Sequence, residues 1–290
     1  MEASQIDYSQ IIIETLNKLF SGLFSSIDNS IYSMLDHITF ISENIFEDKL
    51  LKSILNPFSG IIIIANSLLV GFVIYYCFRL MLSYYSGNGI EKPNQFLVKA
   101  IICAICINYS LFFCTKIIKI NNLISDSFCQ LGYNICKKEI SFNTLILETN
   151  NFINLENNFN IFSFNGLLKS SISIGMINLL FSYSIRYILI KILILLSPFA
   201  ILSLIMQATS WVFKIWLRTF ISLLLLQSFV ALILLIIFMI NISVTDILSQ
   251  ISYISALFIL SKANSYIKEI FGGVSTDFNA NISSIKSLLK

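Results

Sequence analysis

Between Arg218 and Asp246 the chain runs for 27 residues, Thr219 to Thr245, without a single charge. About 20 apolar residues in a helix cross a hydrocarbon core of roughly 30 Å. Only a helix or a closed barrel satisfies its own backbone in lipid. A run this long and this apolar therefore demands either a membrane or a very large buried core. Composition decides between them: 56% of the 290 residues are hydrophobic, 12% are charged, and the mean hydropathy is +0.81. Soluble domains carry about 25% charged residues. So few charges cannot coat a water-facing surface of this size, and the solvent must be largely lipid.

Other uncharged runs repeat the theme. Ser53–Phe78 is 26 residues long, Ala100–Thr115 is 16, Ser170–Ile185 is 16, Ile192–Phe213 is 22 and Ile247–Ser261 is 15. Lys99 and Lys116 bracket the second run, where long basic side chains can snorkel outward and extend a short span. Pro198 interrupts the fourth run. The expected fold is all-α: a polytopic transmembrane bundle of five or six spans, one of them re-entrant in the five-span version.

Residues 1–56 differ in pattern. Ile12, Leu16, Leu19, Phe20, Leu23, Ile27, Ile31, Met34, Leu35 and Ile38 recur at helical spacing, with acids on other faces. They predict one or two amphipathic helices lying on a membrane or partner subunit, or packed on the protein's own spans. Residues 57–118 hold the first two spans, 119–166 an Asn-rich polar loop, 167–261 the C-terminal membrane region, and 262–290 an amphipathic tail. With no basic stretch leading into an apolar core near Met1, insertion is expected to rely on internal spans.

Lys/Arg bias orients such a chain. Residues 1–60 carry eight acids against three lysines, which puts them outside. Arg79, Lys92 and Lys99 surround the first short loop and put it in the cytoplasm. Arg186, Lys191, Lys214 and Arg218 form a basic cluster with no acid among them. A hairpin broken at Pro198 would keep all four inside, with Trp211 and Trp216 at the interface. These four residues either face lipid phosphates or line a route for nucleic acid.

Catalytic signals are nearly absent. His37 is the only histidine and lies in the amphipathic region, far from any nucleophile pattern. Ser86-Gly87-Asn88-Gly89 lacks the lysine and hydroxyl of a phosphate-cradling loop. Cys103-Ala104-Ile105-Cys106 has no second ligand pair for zinc, and small residues that let helices approach explain it better. Cys129 and Cys136 fall in the polar loop and would pair in an oxidising compartment. No Asp or Glu lies between residues 157 and 245, which argues against an ion-coupled transporter with embedded acids. The residues imply no enzyme, no cofactor and no metal.

The most distinctive order of residues begins after Lys191. It reads Ser197-Pro198-Phe199-Ala200, then Thr209-Ser210-Trp211, then Lys214-Ile215-Trp216-Leu217-Arg218, a long span, a short span, and Phe271-Gly272-Gly273. Over roughly residues 167–275 this order resembles the TrbL-like (VirB-six class) polytopic subunits of type IV secretion and conjugation systems. That resemblance implies a channel or scaffold subunit in the bacterial cytoplasmic membrane, with the N-terminus outside, assembling as a homo-oligomer. It implies contacts with a transfer ATPase, bitopic membrane subunits and protein-bound single-stranded DNA. A permease subunit of a small-solute or peptide exporter is the alternative, and an accessory membrane anchor is a third.

Overall fold

A computed structural model describes residues 8–41, 45, 53–54, 60–86, 92–153, 163–239 and 247–272. Among them every regular element is helical. In chain order these are α1 (Tyr8–Thr39), α2 (Ile61–Ser86), α3 (Pro93–Asn108), α4 (Ser110–Cys136), α5 (Phe142–Ile153), α6 (Phe164–Leu202), α7 (Ser210–Met239) and α8 (Ile247–Phe271), with a 3-10 turn at Ser203–Ile205. Three segments are long and apolar enough to cross a membrane: Ile61–Tyr85, Lys169–Ile205 and Ser210–Met239. The pair α3 and α4, bent by 64° at Tyr109, makes a fourth if counted as one broken span. Ile247–Ser261, expected to cross, lies within α8, which is not among these segments.

Local chemistry sets the boundaries. Pro93 opens α3 at the helix position where its missing N–H costs nothing. At the α3–α4 bend the Asn108 amide donates to the Ala104 carbonyl at 2.8 Å and accepts from Asn66 of α2 at 3.3 Å. Such side-chain bonds compete with the helical ladder. Ser163 caps α6 by accepting from the Gly166 N–H at 3.1 Å. Lys137 closes α4 in a left-handed conformation, φ 56°.

Two expectations change here. The described part of the 119–166 segment is not a polar loop: α4 runs through its first third and α5 occupies Phe142–Ile153. Asn121 and Asn122 serve helix packing. The run Ser170–Ile185 and the first part of the run Ile192–Phe213, up to Leu202, are likewise one helix, α6, of 39 residues. At about 1.5 Å per residue it is about 58 Å long, well beyond one hydrocarbon thickness.

α6 and α7 run antiparallel, since Arg186 reaches the Leu223 carbonyl while Trp216 reaches that of Leu193. α4 lies along α7 in the same direction, with Asn121 against Ser228 and Gly132 against Leu235. The C-terminal turns of α1, together with α5 and α8, close the bundle around Leu226, Val230 and Leu234. α2 and α3 form a second, smaller packing unit beside the α6–α7 turn, around Ile62, Ile107 and Ile201 and around Tyr76, Phe96 and Ile205.

Candidate functional site

The residues singled out in the sequence converge on the α6–α7 hairpin, but not in the form expected. Pro198 does not break the chain. It has no N–H for the Ile194 carbonyl, and the neighbouring hydroxyl replaces it: Ser197 Oγ donates to the Ile194 oxygen at 2.7 Å. The Leu193 carbonyl also accepts from Trp216 Nε1 at 2.9 Å. The Ser-Pro pair thus carries its own compensation, and α6 continues through it to Leu202.

The break comes at residues 203–209. Ser203 Oγ donates to the Ala200 carbonyl at 2.6 Å. Thr209 Oγ1 donates to the Ser203 carbonyl at 2.8 Å, and the Thr209 N–H to that of Met206 at 3.2 Å. Ser210 Oγ closes on Gln207 at 3.0 Å. Three hydroxyls therefore satisfy carbonyls that the interrupted ladder leaves open. The re-entrant hairpin broken at Pro198 is replaced by a turn beyond it, whose first arm is an extension of a spanning helix.

The four basic residues do not share one environment. Arg186 is fully buried. Its Nε donates to the Leu223 carbonyl at 2.7 Å and its Nη1 to the Thr39 carbonyl, the last of α1, at 3.0 Å. Nη2 and the Thr39 hydroxyl are buried without a partner. A buried charge costs several kcal/mol unless compensated; here, among the described residues, the compensation comes from two carbonyls and the negative end of α1. Lys191 is half-buried over the Tyr187 ring, 4.8 Å from its centroid. Lys214 is exposed. Arg218, also exposed, donates through Nε to the Phe271 carbonyl at the end of α8.

That last contact explains the glycine. Gly272 has φ 73°, and a Cβ placed on it would lie 2.2 Å from the Arg218 guanidinium. A left-handed C-terminal glycine and an arginine on the last carbonyls together finish α8. Gly273 lies outside the described residues. Of the two tryptophans, Trp211 is exposed as an interfacial residue would be. Trp216 is not: it is buried, stacked on Phe220 with centroids 5.4 Å apart. Its indole is a packing and hydrogen-bonding element between α6 and α7.

Cys129 and Cys136 are both in α4, seven residues apart, and both thiols are free. Seven residues rise about 10 Å along a helix, beyond the roughly 4.4–6.8 Å between Cα atoms that a disulfide spans. The expected bridge is incompatible with this helix. Cys103 of the CxxC pair packs closely on the hairpin turn, its Sγ 3.9 Å from the Ile201 carbonyl.

Two polar arrangements were not anticipated. Asn121 Nδ2 donates to Gln227 Oε1 at 3.4 Å, Gln227 Nε2 to Asn122 Oδ1 at 3.2 Å, and Ser228 Oγ to Asn121 Oδ1 at 3.2 Å. This ladder fastens α4 to α7 inside apolar surroundings. The lone Gln227 in the longest uncharged run was its signal. The second is Asp36 of α1, whose carboxylate accepts from the Phe142 and Asn143 N–H groups at 2.8 and 3.2 Å, capping α5 from another helix. Burial pushes its carboxyl above the ordinary 3.8; the two amides pull it down and Glu139 adds to the rise. Asp36 and the exposed His37 line an open cleft of about 880 Å³ with Asp126, Cys129 and Glu139.

What this arrangement does is hold helices together at fixed registers and present basic groups along one hairpin. No family profile, no curated protein and no solved structure matches the chain.

Proposed function

We propose that this protein is a scaffold and channel subunit of a type IV secretion or conjugation machine, seated in the bacterial cytoplasmic membrane. The observation that carries the reading is convergence. Several parts of the residue order that resembles TrbL-like subunits meet on one construction. Ser197-Pro198 keeps α6 intact, Thr209-Ser210 ties the turn, Trp216 locks the two arms, and Arg218 with Gly272 fastens α8 to the hairpin. A chain with no catalytic role would keep such a motif as a docking platform.

In this reading the protein crosses the membrane five times, as α2, the bent α3–α4 pair, α6, α7 and α8, with the N-terminus outside and the tail inside. Copies associate with one another and with a transfer ATPase and bitopic subunits. Lys214 and Arg218 contact lipid headgroups or passing protein-bound single-stranded DNA. The extensive apolar surface of α2 and α3, including Leu68, Phe78, Leu82, Ile101 and Ile105, supports lipid or subunit contact. The test is a transfer assay in the native host, using deletion of the gene and the double variant Lys214→Glu/Arg218→Glu. Deletion should abolish transfer, and the double variant should reduce it at least tenfold while the protein remains in the membrane. Normal transfer after deletion would overturn the proposal.

A further inference from the structure

α1 is chemically unlike the spans it packs against, and its hold on the rest of the protein lies in its C-terminal turns. The first turns expose Ile12, Leu19 and Leu23, whereas Leu35, Ile38 and Thr39 are buried. Within that seated end, the Thr39 carbonyl accepts from Arg186, 147 residues away in sequence. Among the described residues the guanidinium has two acceptors, Thr39 and Leu223, and its third nitrogen is buried and unmatched. Removing α1 would leave one acceptor for a fully buried cation.

We infer that Arg186 is the latch that seats α1: the end of α1 is the counter-group of a charge buried in the spans, and the two are present or absent together. This goes beyond the proposed function and does not depend on it. The coupling is reciprocal. A helix C-terminus presents carbonyls with no partner of their own and a partial negative charge, so Arg186 completes α1 as α1 completes Arg186. Hydrophobic packing alone is non-directional; the arginine fixes which turn of α1 sits opposite Leu223. The unmatched nitrogen and the unmatched Thr39 hydroxyl leave the latch short of full satisfaction, which suits a contact that opens.

The test uses full-length protein in native membranes, on a background without native cysteines. Leu35→Cys reports the α1 seat, because Leu35 is fully buried. Leu234→Cys, equally buried in α7, reports the bundle. A small membrane-permeant thiol reagent is applied with Arg186 intact, with Arg186→Gln and with Arg186→Lys. The inference expects Leu35→Cys to react at least tenfold faster in Arg186→Gln, with an intermediate rate in Arg186→Lys, while Leu234→Cys stays protected in all three. Unchanged protection of Leu35→Cys would show that packing alone seats α1 and would overturn the inference. Loss of protection at both positions, in Arg186→Lys as well as Arg186→Gln, would also overturn it, since Arg186 would then hold the whole bundle rather than α1.

Discussion

α2 and α7 are both long apolar helices, yet their surroundings differ sharply. In the most apolar stretch of α2 only 17% of residues are buried within the protein, against 67% in α7. Hydropathy alone does not separate them. The difference lies in what interrupts the apolar surface. α7 carries Ser222, Gln227 and Ser228, all buried, and Gln227 and Ser228 bond to α4, whereas α2 bonds through Asn66 to Asn108 in a part-exposed place. Lipid is as apolar as leucine, so helix association in a bilayer depends on close packing and interhelical hydrogen bonds. The α6–α7 core has both, and the α2–α3 arm leaves much of its apolar surface uncovered within the protein.

The largest expected contrast comes from truncating one phenylalanine in each region. Phe220 is fully buried and Phe78 is 63% exposed. Phe220→Ala should cost about 3–5 kcal/mol, as cavity-forming core truncations do, and Phe78→Ala well under 1. Unfolding titrations in detergent would measure both; equal costs would break the comparison. Next come the glycines. A Cβ on Gly132 would fall 1.7 Å from the Ile140 side chain, whereas one on Gly71 meets nothing within 4 Å. Gly132→Val should destabilise by about 1–3 kcal/mol through overpacking, and Gly71→Val should leave the melting temperature nearly unchanged.

A smaller effect is expected at Ser197. Removing its hydroxyl leaves the Ile194 carbonyl without the bond that Pro198 denies it, so Ser197→Ala should cost about 1 kcal/mol. Ser67→Ala, at an exposed position of α2, should fall within about 0.5. If the two serines prove alike, the Ser-Pro compensation is not what keeps α6 continuous.

The smallest effect is a pH slope at the α1–α5 contact. The Asp36 carboxyl is held above its ordinary 3.8 by burial, opposed by the Phe142 and Asn143 amides and assisted by Glu139. A raised value in the folded state means the contribution of Asp36 is fully present below 3.8 and fades as pH rises through the folded value. His37 and Asp126 line the same cleft. Asp36→Asn should remove this fall in stability as pH rises above 3.8, measured by titrating unfolding against pH. An unchanged fall would exclude Asp36 as its source.

Much of the helical architecture is written in periodicity and charge-free runs. Thr219–Thr245 foretells α7, and the amphipathic pattern from Ile12 to Ile38 foretells α1. What sequence alone misplaces is where helices stop. Pro198 looks like a break because its lost hydrogen bond is visible in the sequence, whereas the Ser197 hydroxyl that replaces it is a matter of geometry. The real break at 203–209 is built from serine and threonine hydroxyls that carry no strong signal individually. The same limit applies to Cys129 and Cys136, which read as loop cysteines until the Asn-rich stretch proves helical. Arg186 is the deepest miss. In sequence it groups with Lys191, Lys214 and Arg218 as a surface charge, and only the distant carbonyl of Thr39 shows why it can be buried.

The account rests on α6 crossing the membrane as one unbroken helix that turns only at residues 203–209. Single cysteines at Asn151, at the end of α5, and at Ala208, exposed in the turn, test this directly when labelled in intact cells with an impermeant thiol reagent. The prediction is that Asn151→Cys is modified from outside and Ala208→Cys only after the cells are opened. Modification of both positions from the same side would contradict it.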